Sequence, residues 1–146
     1  YLRTAGQAED GTFTAQAGPG LTAMALTALL RNDVPVDDPM VAKGLQALEG
    51  FVKPDGGVYG NGRLKNYETC VAILAFTEAN ADKRYDKIIA GANKFVRGLQ
   101  YGAAAGQDNE NVWYGGVGYG GPERPDLSNT SYLIDALHAV ACALLQ

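Results

Sequence analysis

The chain has 146 residues, 47% apolar and 19% charged, which is enough for one domain with a buried core and too apolar for a disordered segment. Twelve Lys and Arg against sixteen Asp and Glu leave a net charge of −4, which argues against nucleic-acid and anionic-membrane surfaces, since both need clustered positive charge. No apolar run approaches the roughly 18 residues that cross a bilayer. Six prolines and 19 glycines punctuate the chain, and between them the pattern predicts helices. A short piece at Tyr1–Ala5 reads as the tail of an earlier helix. The first full helix is expected from Gly20 to Arg31. The second follows Asp37-Asp38-Pro39, an acidic N-cap with Pro in the first turn, and is expected to reach Val52. The third runs from about Asn66 to Ala79, the fourth from Tyr85 to Gln100 and the fifth from Ser128 to Leu145. Ala and Leu outnumber β-branched residues in these segments and period-2 alternation is missing, so strands are not expected.

The five helices are of two alternating kinds. The second carries Val41, Leu45, Leu48 and Val52 on one stripe, and the fourth carries Ile88, Ile89, Ala92, Phe95, Val96 and Leu99. Each is amphipathic and half-buried. The first, third and fifth are apolar around their circumference. Leu21–Leu30 has no charge, Cys70–Phe76 is a continuous apolar run, and Tyr132–Leu145 holds only Asp135 and His138 as ionisable groups. Such helices are expected to be buried on all sides, and the alternation suits two layers of helices.

An internal repeat supports this reading. Gly20–Leu29, Tyr67–Phe76 and Ser128–Leu137 align with Thr22, Thr69 and Thr130 in register, 47 and 61 residues apart. A Gly/aromatic loop precedes each: Asp10-Gly11-Thr12-Phe13, Asp55-Gly56-Gly57-Val58-Tyr59-Gly60 and Gly115-Gly116-Val117-Gly118-Tyr119-Gly120. The extra length of the third unit falls mainly in Gly102–Val112, which reads as a surface loop. Two helices per unit of about fifty residues means stacked helical hairpins. The threonines read as structural, capping a first turn or bonding back to a carbonyl. The loop aromatics read as braces between hairpins.

The loop Asp55–Gly60, set between an amphipathic helix ending Leu48-Glu49-Gly50-Phe51-Val52 and a buried one, resembles the repeat of the terpenoid cyclase and protein prenyltransferase β-subunit superfamily, the prenyltransferase/squalene-oxidase or QW repeat. Leu2…Gln7-Ala8-Glu9-Asp10-Gly11-Thr12-Phe13 is similar to the QW motif with Phe for the final Trp. Gln100 with Trp113–Tyr119 looks like a stretched copy. Lys65–Cys70 and Arg124–Thr130 look most like uncharacterised bacterial squalene-cyclase-like repeat proteins. The resemblance covers nearly the whole chain, residues 1–146 as one domain. It implies an all-α fold, an α/α toroid of repeated helical hairpins, of which about two and a half are present as a partial ring. The apolar inner face of such a piece would meet water. The expectation is therefore a longer chain that supplies further hairpins, or self-association. The chain also lacks an initiator Met and a signal-like segment, and it reads as a mature or excised piece whose compartment is not written in it.

By resemblance, the function is binding or transforming an isoprenoid-type apolar ligand in a central cavity. The alternative is a non-catalytic repeat scaffold for protein–protein interaction. The family's cyclases use an Asp-x-Asp-Asp acid motif. Here Pro35 takes the first aspartate's place in Asp33–Pro39, and this stretch reads as a loop and an N-cap. The family's zinc ligands would correspond to Glu68, Cys70 and His138, but His138 falls about 12 Å further along its helix at 1.5 Å per residue. His138 and Cys142 share a face without completing a site, so no metal or cofactor is expected. By the same arithmetic Cys142 falls about 16 Å along the axis from Cys70, too far for a disulfide whose Cα atoms lie within about 7 Å, and both read as free, buried thiols. What remains is the rim where the inner helices begin. Glu68 and Asp126 are the candidate catalytic carboxylates, and Tyr67, Asn129, Tyr132, Trp113 and Tyr119 the candidate ligand-binding residues. The bland readings stand beside these: Asp126 is placed to cap the fifth helix, and Glu68 to sit in a first turn.

Overall fold

The computed structural model describes residues 2–14, 18–103, 106, 108–121 and 124–143. Tyr1, Leu145 and part of Gly102–Val112, which figure in the expectations above, lie outside them. A single π-helical turn, Leu2–Gly6, opens the chain. Five α-helices follow: α1 Pro19–Arg31, α2 Pro39–Glu49, α3 Lys65–Glu78, α4 Asp86–Leu99 and α5 Leu127–Ala143. Among the described residues the only β pairing is an isolated antiparallel bridge between Val52 and Val58.

Local chemistry sets the helix ends. Pro19 and Pro39 occupy first turns, where a missing N–H costs nothing. The Asp38 carboxylate accepts the Met40 N–H at 3.0 Å and pairs with Arg3 at 2.8 Å, so Asp38 is the N-cap that the sequence suggests. α2 stops at Glu49 rather than Val52. Gly50 ends it, the Val52 backbone pairs with Val58, and the Phe51 carbonyl accepts the Tyr59 N–H at 3.2 Å.

α3 lies between α1 and α5 and packs against both. α2 covers α1, while α4 covers α3 and touches α5. α3 is therefore the buried helix of the molecule, with Cys70, Val71, Ala72, Ile73, Ala75 and Phe76 all inside. The amphipathic helices contribute Val41, Leu45 and Leu48 from α2, and Ile89, Ala92 and Val96 from α4. Burying Phe76 alone is worth on the order of 3 kcal/mol. α1 and α5 depart from the expectation of burial on all sides. Each has a neighbour of its own layer on one flank only, so Leu21 and Met24 on α1, and Leu127 and Ile134 on α5, reach solvent.

The three loops before α1, α3 and α5 are one structure built three times. The N–H groups of Ala8, Lys53 and Tyr101 donate to the carbonyls of Thr12, Gly57 and Gly116 at 2.8, 2.8 and 2.9 Å. The N–H groups of Gly11, Gly56 and Gly115 donate back to Ala8, Lys53 and Tyr101 at 3.0, 2.9 and 2.6 Å. Those three glycines hold φ of 89, 91 and 83°, a left-handed backbone that side chains disfavour. The N–H groups of Phe13, Val58 and Val117 then donate to the hydroxyls of Thr22, Thr69 and Thr130 at 3.0, 3.0 and 3.2 Å. So the recurrent threonine is structural, but its common partner is the loop, not the first turn of its helix. Thr130 also bonds to the carbonyl four residues before it, that of Asp126, at 2.7 Å. In the first two loops two residues separate the paired positions. In the third there are thirteen, and the eleven extra are Gly102–Val112.

Gln7 and Gln100 do the same work in the first and third loops. The Gln7 amide donates to the Gly11 carbonyl at 3.0 Å and to Met40 at 2.8 Å, and the Gln100 amide donates to the Gly115 carbonyl at 2.8 Å. Val52 stands at this place in the middle loop.

Candidate functional site

The rim at which α1, α3 and α5 begin gathers most of the candidate residues, and it sorts them into separate clusters. Glu68, in the first turn of α3, is 3% exposed. One carboxylate oxygen accepts the Gly60 N–H at 2.9 Å. The other rests against Gly18, the N-cap of α1, so closely that a side chain there would collide with it. A carboxylate beside a helix N-terminus is favoured by the helix dipole. Burial nevertheless pushes the carboxyl above its ordinary value, against the smaller opposing pulls of the Gly60 N–H and Lys53.

Asp126 caps α5. Its two oxygens accept the backbone N–H and the side-chain amide of Asn129, each at 2.8 Å. The Asn129 N–H holds this carboxyl below its usual range. Asn129 is itself buried between α5 and α3. The Asn66 amide donates to its carbonyl at 3.1 Å and to its side-chain oxygen at 3.3 Å. The Asn66 N–H donates to the Tyr119 carbonyl at 3.1 Å, and the Cys70 thiol to the Asn66 side-chain oxygen at 3.4 Å. Asn66 is the centre of this network, and sequence reasoning passed over it. Its only signal was a polar side chain opening a helix read as buried.

Tyr67 and Tyr132 come together on the face of α3 and α5 turned away from α2 and α4. Their rings meet edge to face with centroids 4.9 Å apart. The Tyr67 hydroxyl donates to the Met24 sulfur at 3.0 Å, so the strip crosses all three helices. Burial, more than neighbouring charge, raises the Tyr67 phenol above its ordinary value. Trp113 and Tyr119 stand elsewhere. With Tyr114, Pro125, Asp126 and Leu127 they line a wide recess of about 1350 Å³ at the start of α5, where Trp113 meets Tyr101 edge-on at 5.5 Å. The structure thus joins Tyr67 to Tyr132, and it gathers Asp126, with Asn129 bonded to it, beside Trp113 and Tyr119 at the recess. Glu68 lies apart, on the α1 side of α3.

At the far end of α1, α3 and α5, Arg31, Leu74, Glu78, Asp135, His138 and Cys142 line a smaller recess of about 480 Å³. Arg31 pairs with Glu78 at 2.6 Å, and the Cys142 sulfur lies 3.6 Å from the His138 ring. Cys70 is buried and free. Cys142 is free but exposed, contrary to the expectation of two buried thiols, because it lines this open recess rather than the core. Among the described residues no three His, Cys, Asp or Glu side chains converge as metal ligands, and no helix is long and apolar enough to cross a membrane. Comparison with protein-family models, with curated proteins and with solved structures gives no match.

Proposed function

We propose that this all-helical domain is a segment of an α/α toroid of the terpenoid cyclase and prenyltransferase kind, and that its inner face holds an apolar, isoprenoid-type ligand. The observation that carries the reading is the uncharged strip Met24–Tyr67–Tyr132, which runs unbroken across three helices at the face turned away from the outer layer. A thioether and two aromatic rings offer polarizable, partly exposed surface to a hydrocarbon chain. Two hydroxyls at the strip's edge suit a single polar end group. Glu68 and Asp126 enter this reading as supports. Asp126 orders α5 through Asn129, and Glu68 joins Gly60 to the start of α1.

The test is titration of the protein with farnesol, followed by tyrosine fluorescence and calorimetry. Saturable binding weakened about tenfold by Tyr67→Ser and by Tyr132→Ser, roughly the loss of one good aromatic contact, supports the proposal. Absence of saturable binding, or binding that both variants leave unchanged, overturns it. The engagement of both Asp126 oxygens within α5 favours a second reading, a non-catalytic scaffold. That reading takes over if farnesol does not bind.

A further inference from the structure

The three threonines set a common register, and each flank of the inner helices can be followed through it. On the flank turned toward the preceding unit stand the residues one before, three after and six after the threonine. In α3 these are Glu68, Ala72 and Ala75, and in α5 Asn129, Leu133 and Ala136; all six are buried. Glu68 packs on the start of α1, and Asn129 bonds to Asn66 at the start of α3. In α1 the same positions are Leu21, Ala25 and Ala28. Leu21 is 45% exposed, Ala28 is exposed and Ala25 is half-buried.

The opposite flank carries the residues three before, one after and four after. In α1 these are Pro19, Ala23 and Leu26, and in α3 Asn66, Cys70 and Ile73, all buried. In α5 they are Leu127, Ser131 and Ile134. Leu127 is 90% exposed, Ile134 is 60% exposed and Ser131 is exposed.

Each flank left open is thus the one its repeat mates bury, and the two are matched. At the four-after position stand Leu26, Ile73 and Ile134; at the six-after position stand Ala28, Ala75 and Ala136. Within the chain a branched side chain on one helix goes with alanine on the next, as close packing requires. Ile134 lacks such an alanine and Ala28 lacks such a branched neighbour. None of the six open positions carries a charge.

We propose that these two flanks are halves of one interface, occupied by a second copy of this chain stacked head to tail, α5 of one copy against α1 of the next. The contact continues the α1–α3 and α3–α5 packing. Because it is heterologous, it builds rings or chains rather than two-fold dimers. The inference uses only the repeat register and stands apart from the ligand reading.

Light scattering after size-exclusion chromatography tests it with the wild-type chain, Ile134→Asp and Leu21→Glu. Both substitutions are at exposed sites, and circular dichroism melts check folding. Wild type is expected to gain mass with concentration and each variant alone to stay monomeric. Their equimolar mixture should form one-to-one dimers and nothing larger, because one variant keeps a sound α1 flank and the other a sound α5 flank. Three results overturn the proposal: wild type monomeric to roughly 100 µM, well above a micromolar Kd; either variant assembling alone, as a like-with-like contact would allow; or a mixture that stays monomeric.

Discussion

Thr69 holds both backbone groups of Val58. Its hydroxyl oxygen accepts the Val58 N–H at 3.0 Å and its hydroxyl proton goes to the Val58 carbonyl at 3.3 Å. One side chain near the start of α3 thereby anchors the loop before it, and both partners are buried.

Thr69→Val keeps the shape and removes both bonds, leaving a buried N–H unmet. The expected loss is about 1–3 kcal/mol, read as a lower urea midpoint at unchanged slope. Thr130→Val is expected to cost less, because that hydroxyl is only partly buried.

Glu68 gives a pH signature. Its folded-state carboxyl is raised above its ordinary value by burial. The folded state therefore binds this proton more tightly than the unfolded state, and the group's contribution falls as pH rises through the raised value. Glu68→Gln keeps an acceptor for the Gly60 N–H and removes the charge. Its stability relative to wild type is expected to improve between pH 4 and pH 7, as measured by urea unfolding at both. A constant difference between the two proteins would contradict the assignment.

Two glycines should respond in opposite directions. A Cβ on Gly56 would lie 2.7 Å from the Gly91 carbonyl oxygen, with φ at +91°, so Gly56→Ala is expected to cost more than about 2 kcal/mol. Gly98 lies within α4 with open space around it. There, Gly98→Ala is expected to stabilise by about 0.5–1 kcal/mol. Thermal melts of the two variants check both signs.

The cysteines should separate cleanly. Burial pushes the Cys70 thiol up to about 12, while Cys142 is exposed. Since the thiolate is the reactive form, a disulfide reagent at mildly alkaline pH is expected to titrate one thiol in the native protein and two after unfolding. Cys142→Ser should abolish the native reaction.

Helix positions were legible in the sequence because proline, glycine and an acidic cap punctuate it, and α1 to α5 lie close to their expected places. The threonine register was legible for the same reason, since a repeat leaves its mark in spacing. What escaped depends on neighbours. Val52 sits in a helical stripe, yet its backbone pairs with Val58 beyond Gly50. Asn66 and Asn129 are 63 residues apart, and neither residue type announces a partner. Cys142 and Ile134 look like core residues because a linear pattern shows which side of a helix is apolar, not whether another helix arrives to cover it. The candidate rim residues come from two stretches of sequence, Tyr67–Glu68 and Trp113–Tyr132. Their division among three clusters follows from α3 standing in the middle, with Glu68 on one flank and Asn66 on the other.

The eleven-residue sequence detour at Gly102–Val112 is inserted between backbone groups that are clasped to one another, Tyr101 on one side and Gly115 and Gly116 on the other. Lengthening a closed loop costs only about 0.6 kcal/mol per doubling. This makes the detour a natural grafting port: a foreign epitope or affinity tag spliced there would be displayed from a clamped base, with the helical wall left unaltered.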